Sequence, residues 1–127
     1  MKGFLGSKGN SHSVSVCCVF DNEEVGSLTK QGADSTLLSD VLKRICFSLG
    51  KNQEEYLQAV AGSFLISADN AHAVHPNHAD KADPTNRPYM NLGPVIKFNA
   101  NQKYTTDSVS AAIFREICSR AQVPCQT

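Results

Sequence analysis

Two successive carboxylates, Glu23 and Glu24, follow an apolar run and the pair Asp21-Asn22, and a further acid, Asp69, follows a second apolar run. Side chains leaving an extended strand diverge in succession. One of a consecutive pair can therefore bind a metal while its neighbour holds the water that the metal activates. Asp69, arriving from an adjacent strand, would offer oxygen to a second metal. Acids at strand ends also serve as helix caps and dipole partners, so spacing alone leaves both readings open. Asp69 begins the series Asp69-x-x-His72-x-x-His75-x-x-His78. Residues three apart share a helical face, and histidine with carboxylate suits zinc. Pro76 breaks any helix through the series, so these four cannot form one stripe. The alternative is that the histidines hydrogen-bond within a loop or meet a neighbouring subunit.

These residues need elements to position them. Val14-Ser15-Val16-Cys17-Cys18-Val19-Phe20 begins as alternation and becomes continuously apolar, which predicts a strand buried on both faces. Asp34 or Ser35 then caps a helix reaching Leu49, with Leu38, Val41, Leu42, Ile45 and Leu49 on one stripe and Gly50 as its stop. Asn52 caps a shorter helix over 53–61. Ser63 to Ala68 reads as a second strand and Pro94 to Asn99 as a third, with Ile96 and Phe98 on one face and Val95, Lys97 and Asn99 on the other. From Asn70 to Asn91 the chain is polar, with three prolines and three histidines, and reads as a long loop. Thr106 or Asp107 caps a last helix carrying Val109, Ile113, Ile117 and Ala121. The expectation is an α/β fold, a mixed sheet with flanking helices. Three strands make a thin sheet with an edge left bare, as in an incomplete piece of a domain. Residues 1–13 carry no element signal.

Composition removes several function classes. In 127 residues, 41% are apolar and 19% charged, an ordinary globular balance with room for one domain. Twelve basic residues match twelve acidic ones and neither sign is concentrated in 1–50, 51–100 or 101–127, so no basic face for nucleic acid is expected. The longest apolar run, Val16 to Phe20, is far short of the roughly 18 residues that span a bilayer. No secretory signal is evident at the amino end. Five cysteines form no C-x-x-C pair and read as buried free thiols of a reducing compartment, hence a cytoplasmic chain.

Three blocks then carry a resemblance. Phe20-Asp21-Asn22-Glu23-Glu24-Val25-Gly26-Ser27 with Gln31-Gly32-Ala33 is the first, and Ile66-Ser67-Ala68-Asp69-Asn70-Ala71-His72-Ala73-Val74-His75-Pro76-Asn77 the second. The third is Gly93-Pro94-Val95-Ile96-Lys97 continuing to Asn101-Gln102-Lys103-Tyr104. In this order, over about residues 14–125, they resemble the aspartyl aminopeptidase family of co-catalytic zinc exopeptidases. The resemblance implies Glu23 as general base, Glu24 as ligand of one zinc and Asp69 as ligand of the other. Hydroxide bridging two zinc ions would attack the amino-terminal peptide carbonyl of a substrate beginning with Asp or Glu. His72 and His75 would lie beside the site, supporting substrate binding or subunit contacts. Lys97, which on its own reads as a solvent-facing strand lysine, would meet an acidic substrate side chain.

The same resemblance implies that residues 1–127 are part of a catalytic domain in a longer, homo-oligomeric family. There the first histidine ligand and the bridging aspartate come from upstream, and the last histidine from downstream. His12 has no family motif around it and is not assigned to the metal. Alone, the chain is expected to hold zinc weakly and to be inactive. The alternative from a different class is a non-catalytic interaction or assembly module that keeps the fold.

Overall fold

The computed structural model describes residues 1–9 and 11–127, which divide into two units, Met1–Leu65 and Ile66–Thr127. The first holds α1 (Lys2–Gly6), α2 (Leu37–Ser48) and α3 (Gln53–Ala61). The second holds a single 3-10 turn (Ala79–Lys81) and α4 (Ser108–Arg120).

α2, α3 and α4 follow their local signals closely. Asn52 closes a capping box on α3: its side chain accepts from the Glu55 amide at 3.0 Å, and the Glu55 carboxylate accepts from the Asn52 amide at 2.9 Å. Each bond satisfies an amide that the first helical turn leaves without a partner. Lys51 adds an ion pair to Glu55 at 2.8 Å, and these donors hold the Glu55 carboxyl below its ordinary range. Asp107 caps α4 in the same way, accepting from the Ser110 amide at 2.7 Å. At the start of α2 the expected cap shifts by one or two residues. Thr36 is the N-cap, without a side-chain bond, while Ser35 Oγ accepts from the Leu37 amide at 3.3 Å.

The far end of α2 closes in a Schellman motif. The Lys51 amide returns to the Cys46 carbonyl at 3.0 Å and the Gly50 amide to Phe47 at 3.0 Å. Gly50 sits at φ +76°, where a side chain would be strained. Gln122 takes the same place after α4 at φ +55°, with Val123 bonded back to Cys118 at 2.9 Å. A residue with a Cβ stands there at a conformational cost.

The mixed sheet predicted from the sequence is not formed. Among the described residues there is no strand, and Val95 pairs with Gln126 in an isolated parallel bridge. The first predicted strand runs without a ladder and shows its side chains to solvent, Val14 at 81% and Val19 at 80% exposure. Phe64, Leu65 and Ile66 of the second are exposed as well. Periodicity reports that a segment suits burial on a pleated surface; a strand also needs a neighbour to take its amides and carbonyls. Those neighbours do not occur among the described residues. Within the amino-terminal segment, which carries no signal in the sequence, Lys2–Gly6 form the one-turn α1.

Burial is correspondingly thin. In the first unit Tyr56 on α3 is buried, with the Lys43 ammonium of α2 5.9 Å from its ring centre. On the α2 stripe Leu38 and Leu42 are half-buried, whereas Val41, Ile45 and Leu49 are exposed. In the second unit Ile96, Ala111 and Cys118 are buried. The five cysteines are free thiols, but the expectation that they are buried fails for Cys17 and Cys18, which share the exposure of their uncovered segment. Cys125 is half-buried beside Cys118, and its burial pushes the thiol above the ordinary cysteine range.

Candidate functional site

Glu23 and Glu24 belong to the first unit, on a tightly bonded loop over 21–35. Asn22 makes the turn at φ +61°, a left-handed conformation that asparagine tolerates better than most residues. Its carbonyl accepts from the Gly26 amide at 2.8 Å, and its own amide donates to Asp21 Oδ1 at 2.8 Å. The Asn22 side-chain amide reaches Gln31 Oε1 at 3.2 Å and Thr29 Oγ1 at 3.4 Å. The Asp21 amide closes the loop on the Gln31 carbonyl at 3.3 Å. Gly32 is buried, and a Cβ there would strike the Ser27 backbone, so the returning arm of the loop has room only for glycine. The two glutamates stand on this frame with their side chains exposed.

Asp69 lies in the second unit together with Lys97, His72 and His75. Asp69 Oδ1 accepts from the Asn70 amide at 2.8 Å. Lys97 Nζ stands 3.6 Å from Asp69 Oδ2, donates to the Asn70 carbonyl at 2.9 Å and lies 5.6 Å from the Tyr104 ring centre. The lysine side chain is 27% exposed against 59% for the aspartate. Lys97 is therefore a half-buried anchor rather than the solvent-facing lysine that its position in a strand pattern suggests. His72 and His75 are exposed. His75 Nδ1 accepts from the Asn77 amide at 3.2 Å, and the His75 ring stands 5.0 Å from that of His78. No helix runs through 69–78, as Pro76 requires.

The platform behind Lys97 is held by the carboxyl end. The Ile96 amide donates to the Gln126 carbonyl and the Gln126 amide to the Pro94 carbonyl, each at 2.9 Å. The Gln126 side chain accepts from the Tyr89 amide at 2.7 Å and donates to the carbonyls of Tyr89 and Gly93. Gly93, at φ +86°, lies where a Cβ would strike the Pro124 carbonyl.

The family-model comparison matches all of residues 1–127 to Aminopeptidase I zinc metalloprotease (M18). The chain belongs to the M18 aminopeptidase family. It is 55% identical over 116 residues to "Probable M18 family aminopeptidase 2" of Clostridium novyi (strain NT), covering 91% of this chain and 27% of that protein. It is 46% identical over 121 residues to "Aspartyl aminopeptidase 1" of Schizosaccharomyces pombe, covering 95% of this chain and 25% of the relative. Among solved structures it resembles a chain of "Cryo-EM structure of the Ape4 and Nbr1 complex" with a TM-score of 0.76 and 48% identity, over 84% of this chain and 20% of that one. This M18 chain thus spans about a quarter of the length of the curated relatives it matches.

The family is one of zinc metalloproteases, so the donors on this chain can be tested against that metal. Among the described residues no group of three or more His, Cys, Asp or Glu side chains is gathered as a metal would need. Catalytic zinc takes three protein ligands. Glu23, Glu24 and Asp69 are oxygen donors of the right chemistry, but Asp69 is already engaged by an ammonium group. The described residues do not by themselves fit a zinc site.

Asp69 and Lys97 stand in the quoted motif blocks, and the structure adds their pairing and the contacts of Lys97 with Asn70 and Tyr104. All four stand inside quoted motifs, and a cation with a carboxylate and an aromatic in neighbouring blocks was the available signal. Asn22 is the turn residue of the first block, and asparagine ahead of an acidic pair and a following glycine is the signal for it.

Proposed function

We propose that this M18 chain is part of the catalytic domain of an aminopeptidase that removes amino-terminal Asp or Glu residues from peptides. In this reading Glu23 takes a proton from the attacking water and delivers it to the leaving amine, a role worth roughly 10²–10⁴ in rate. Glu24 and Asp69 are assigned as ligands, each toward one of two zinc ions, with the other donors coming from polypeptide outside 1–127. Lys97, His72 and His75 are assigned to the substrate, Lys97 to the acidic side chain that defines the specificity. The observation that carries the reading is the family match along the whole chain, joined to the 46% identity with a protein named as an aspartyl aminopeptidase.

The test is a hybrid in which residues 1–127 replace the matching segment of the fission yeast relative. We expect the hybrid to release Asp from an amino-terminal Asp peptide, and Glu23→Gln to lower that rate by about 10²-fold or more. A hybrid whose rate is indifferent to Glu23→Gln would remove Glu23 from the reaction. Residues 1–127 alone are expected to give no turnover even with added zinc.

A second reading, an assembly module, is favoured by the uncovered apolar runs Val14–Val19 and Phe64–Ile66. Both readings expect self-association or association with further polypeptide, in a cytoplasmic setting. No helix is long and apolar enough to cross a membrane among the described residues. Sedimentation at several concentrations distinguishes the second reading, since a chain that stays monomeric throughout would remove its support.

A further inference from the structure

Cys118 and Cys125 take no part in the site described above, and the structure sets their thiols against each other. Cys118, in the last turn of α4, is buried at 5% exposure, and Cys125 is half-buried. Both are free thiols, and their side chains are in hydrogen-bonding contact. Backbone bonds fix this meeting. The chain reverses at Gln122, φ +55°, and the Val123 amide returns to the Cys118 carbonyl at 2.9 Å. Beyond Cys125, the Gln126 amide donates to the Pro94 carbonyl and the Gln126 carbonyl accepts from Ile96, each at 2.9 Å. Cys125 is thus pinned from both sides in the chain, with a second thiol beside its own.

We propose that Cys118 and Cys125 form an oxidation site, at which hydrogen peroxide makes a disulfide that ties segment 123–126 to α4. Cys125 reacts first, because its sulfur is the more open of the two. Its thiolate attacks one peroxide oxygen, the O–O bond breaks, and the departing hydroxide takes up the thiol proton as water. The Cys118 sulfur then attacks the Cys125 sulfenic acid. The S–S bond forms, and the second oxygen leaves as water with the Cys118 proton. Two thiols and one peroxide give one disulfide and two waters. Burial and the neighbouring Cys118 thiol push the Cys125 thiol above its ordinary range, against the opposing charge of Arg115 on α4. Thiolate is therefore scarce near neutrality, and the reaction is slow there and quickens as pH rises. The disulfide closes a loop across the turn at Gln122 and removes conformations otherwise open to the segment carrying Gln126. Gln126 holds Ile96, so oxidation stiffens the platform behind Lys97.

The experiment treats the chain with hydrogen peroxide in a Cys17→Ser, Cys18→Ser, Cys46→Ala background, which leaves this pair as its cysteines. After residual thiols are alkylated, peptide mapping is expected to recover Cys118 joined to Cys125 within one chain, sooner at about pH 9 than at about pH 7. The amides of Ile96 and Gln126 should then exchange about tenfold more slowly, and dithiothreitol should restore the original rates. Sulfinic acid on Cys125 with Cys118 still free, or a link between two chains, would overturn the site. A disulfide that leaves both exchange rates unchanged would overturn the tie to the platform. Should that background fail to fold, mapping and exchange on the wild-type chain decide. There, slowing of exchange that persists in Cys125→Ser would overturn the proposal.

Discussion

The loop that carries Glu23 and Glu24 and the turn that carries Asp69 are ordered in opposite ways. Among the described residues the bonds that frame the glutamates are local: Asp21 and Asn22 reach no further than Gln31, and the closing glycine packs on Ser27. Asp69 is instead braced by Lys97 from the next motif block, and Lys97 stands beside Ile96, which is held by Gln126 at the far end of the chain. A locally closed loop depends on a few dihedrals and its own side chains. A loop braced at long range depends on the surface that positions its brace, and is lost when that surface loosens.

Substitutions can break this contrast. The largest effect is expected for Gly93→Ala. The new methyl group strikes the Pro124 carbonyl and must also adopt φ +86°, so the carboxyl-terminal segment is forced off. A cost of about 3 kcal/mol to the second unit is expected, with the Ile96 amide losing protection in hydrogen exchange and the amides of 21–35 unchanged. Equal loss of protection in both regions would deny their independence.

Asn22→Ala is the local counterpart. It removes two side-chain bonds and places alanine in the left-handed region, for a cost of about 1–2 kcal/mol read by urea unfolding of the first unit. Asn22→Gly keeps the conformation but not the bonds, and should recover part of that loss. If it recovers nothing, the bonds to Gln31 and Thr29 carry the loop and the turn conformation does not.

Gln122→Gly is expected to act in the other direction, stabilising the end of α4 by about 0.5–1 kcal/mol in thermal unfolding, because φ +55° suits glycine.

The smallest effect is a dependence on pH. The Ser110 side chain and amide hold the Asp107 carboxyl below its ordinary value. The cap's contribution is therefore complete above the unfolded pKa, near 3.9, and is lost as pH falls through the lower folded value. Helicity of α4 should decline below about pH 4 in wild type, and Asp107→Asn, which keeps an acceptor without a charge, should flatten that decline. An unchanged acid response in Asp107→Asn would move the titration to other carboxyls.

How much of this was legible depended on range. Asn52 with Glu55, Asp107 with Ser110, and Gly50 at a helix stop are written within a few positions of one another, and the helices form where those residues stand. The runs at 14–20 and 63–68 carry an equally clear local pattern, yet form no strand, because a ladder is an agreement between two segments and a pattern describes one. In the candidate site, Glu23, Glu24 and Asp69 are assigned through motifs. Lys97 reads from the sequence as a solvent-facing strand lysine or, by the resemblance, a substrate contact, because nothing in the neighbourhood of residue 97 in the chain reveals an aspartate beside it in space.

The sequence by itself therefore determined α3 and α4 with their caps, the body of α2, the family to which the chain belongs, and the identity of the acids available for chemistry, since each is a property of residues close together in the chain. Only the tertiary structure decided that the apolar runs form no strand among the described residues, that Gln126 braces the segment carrying Lys97, and that Lys97 is the cation facing Asp69. Each of these brings together residues that are distant in the chain, and the free energy of such a meeting belongs to the contact and not to either partner.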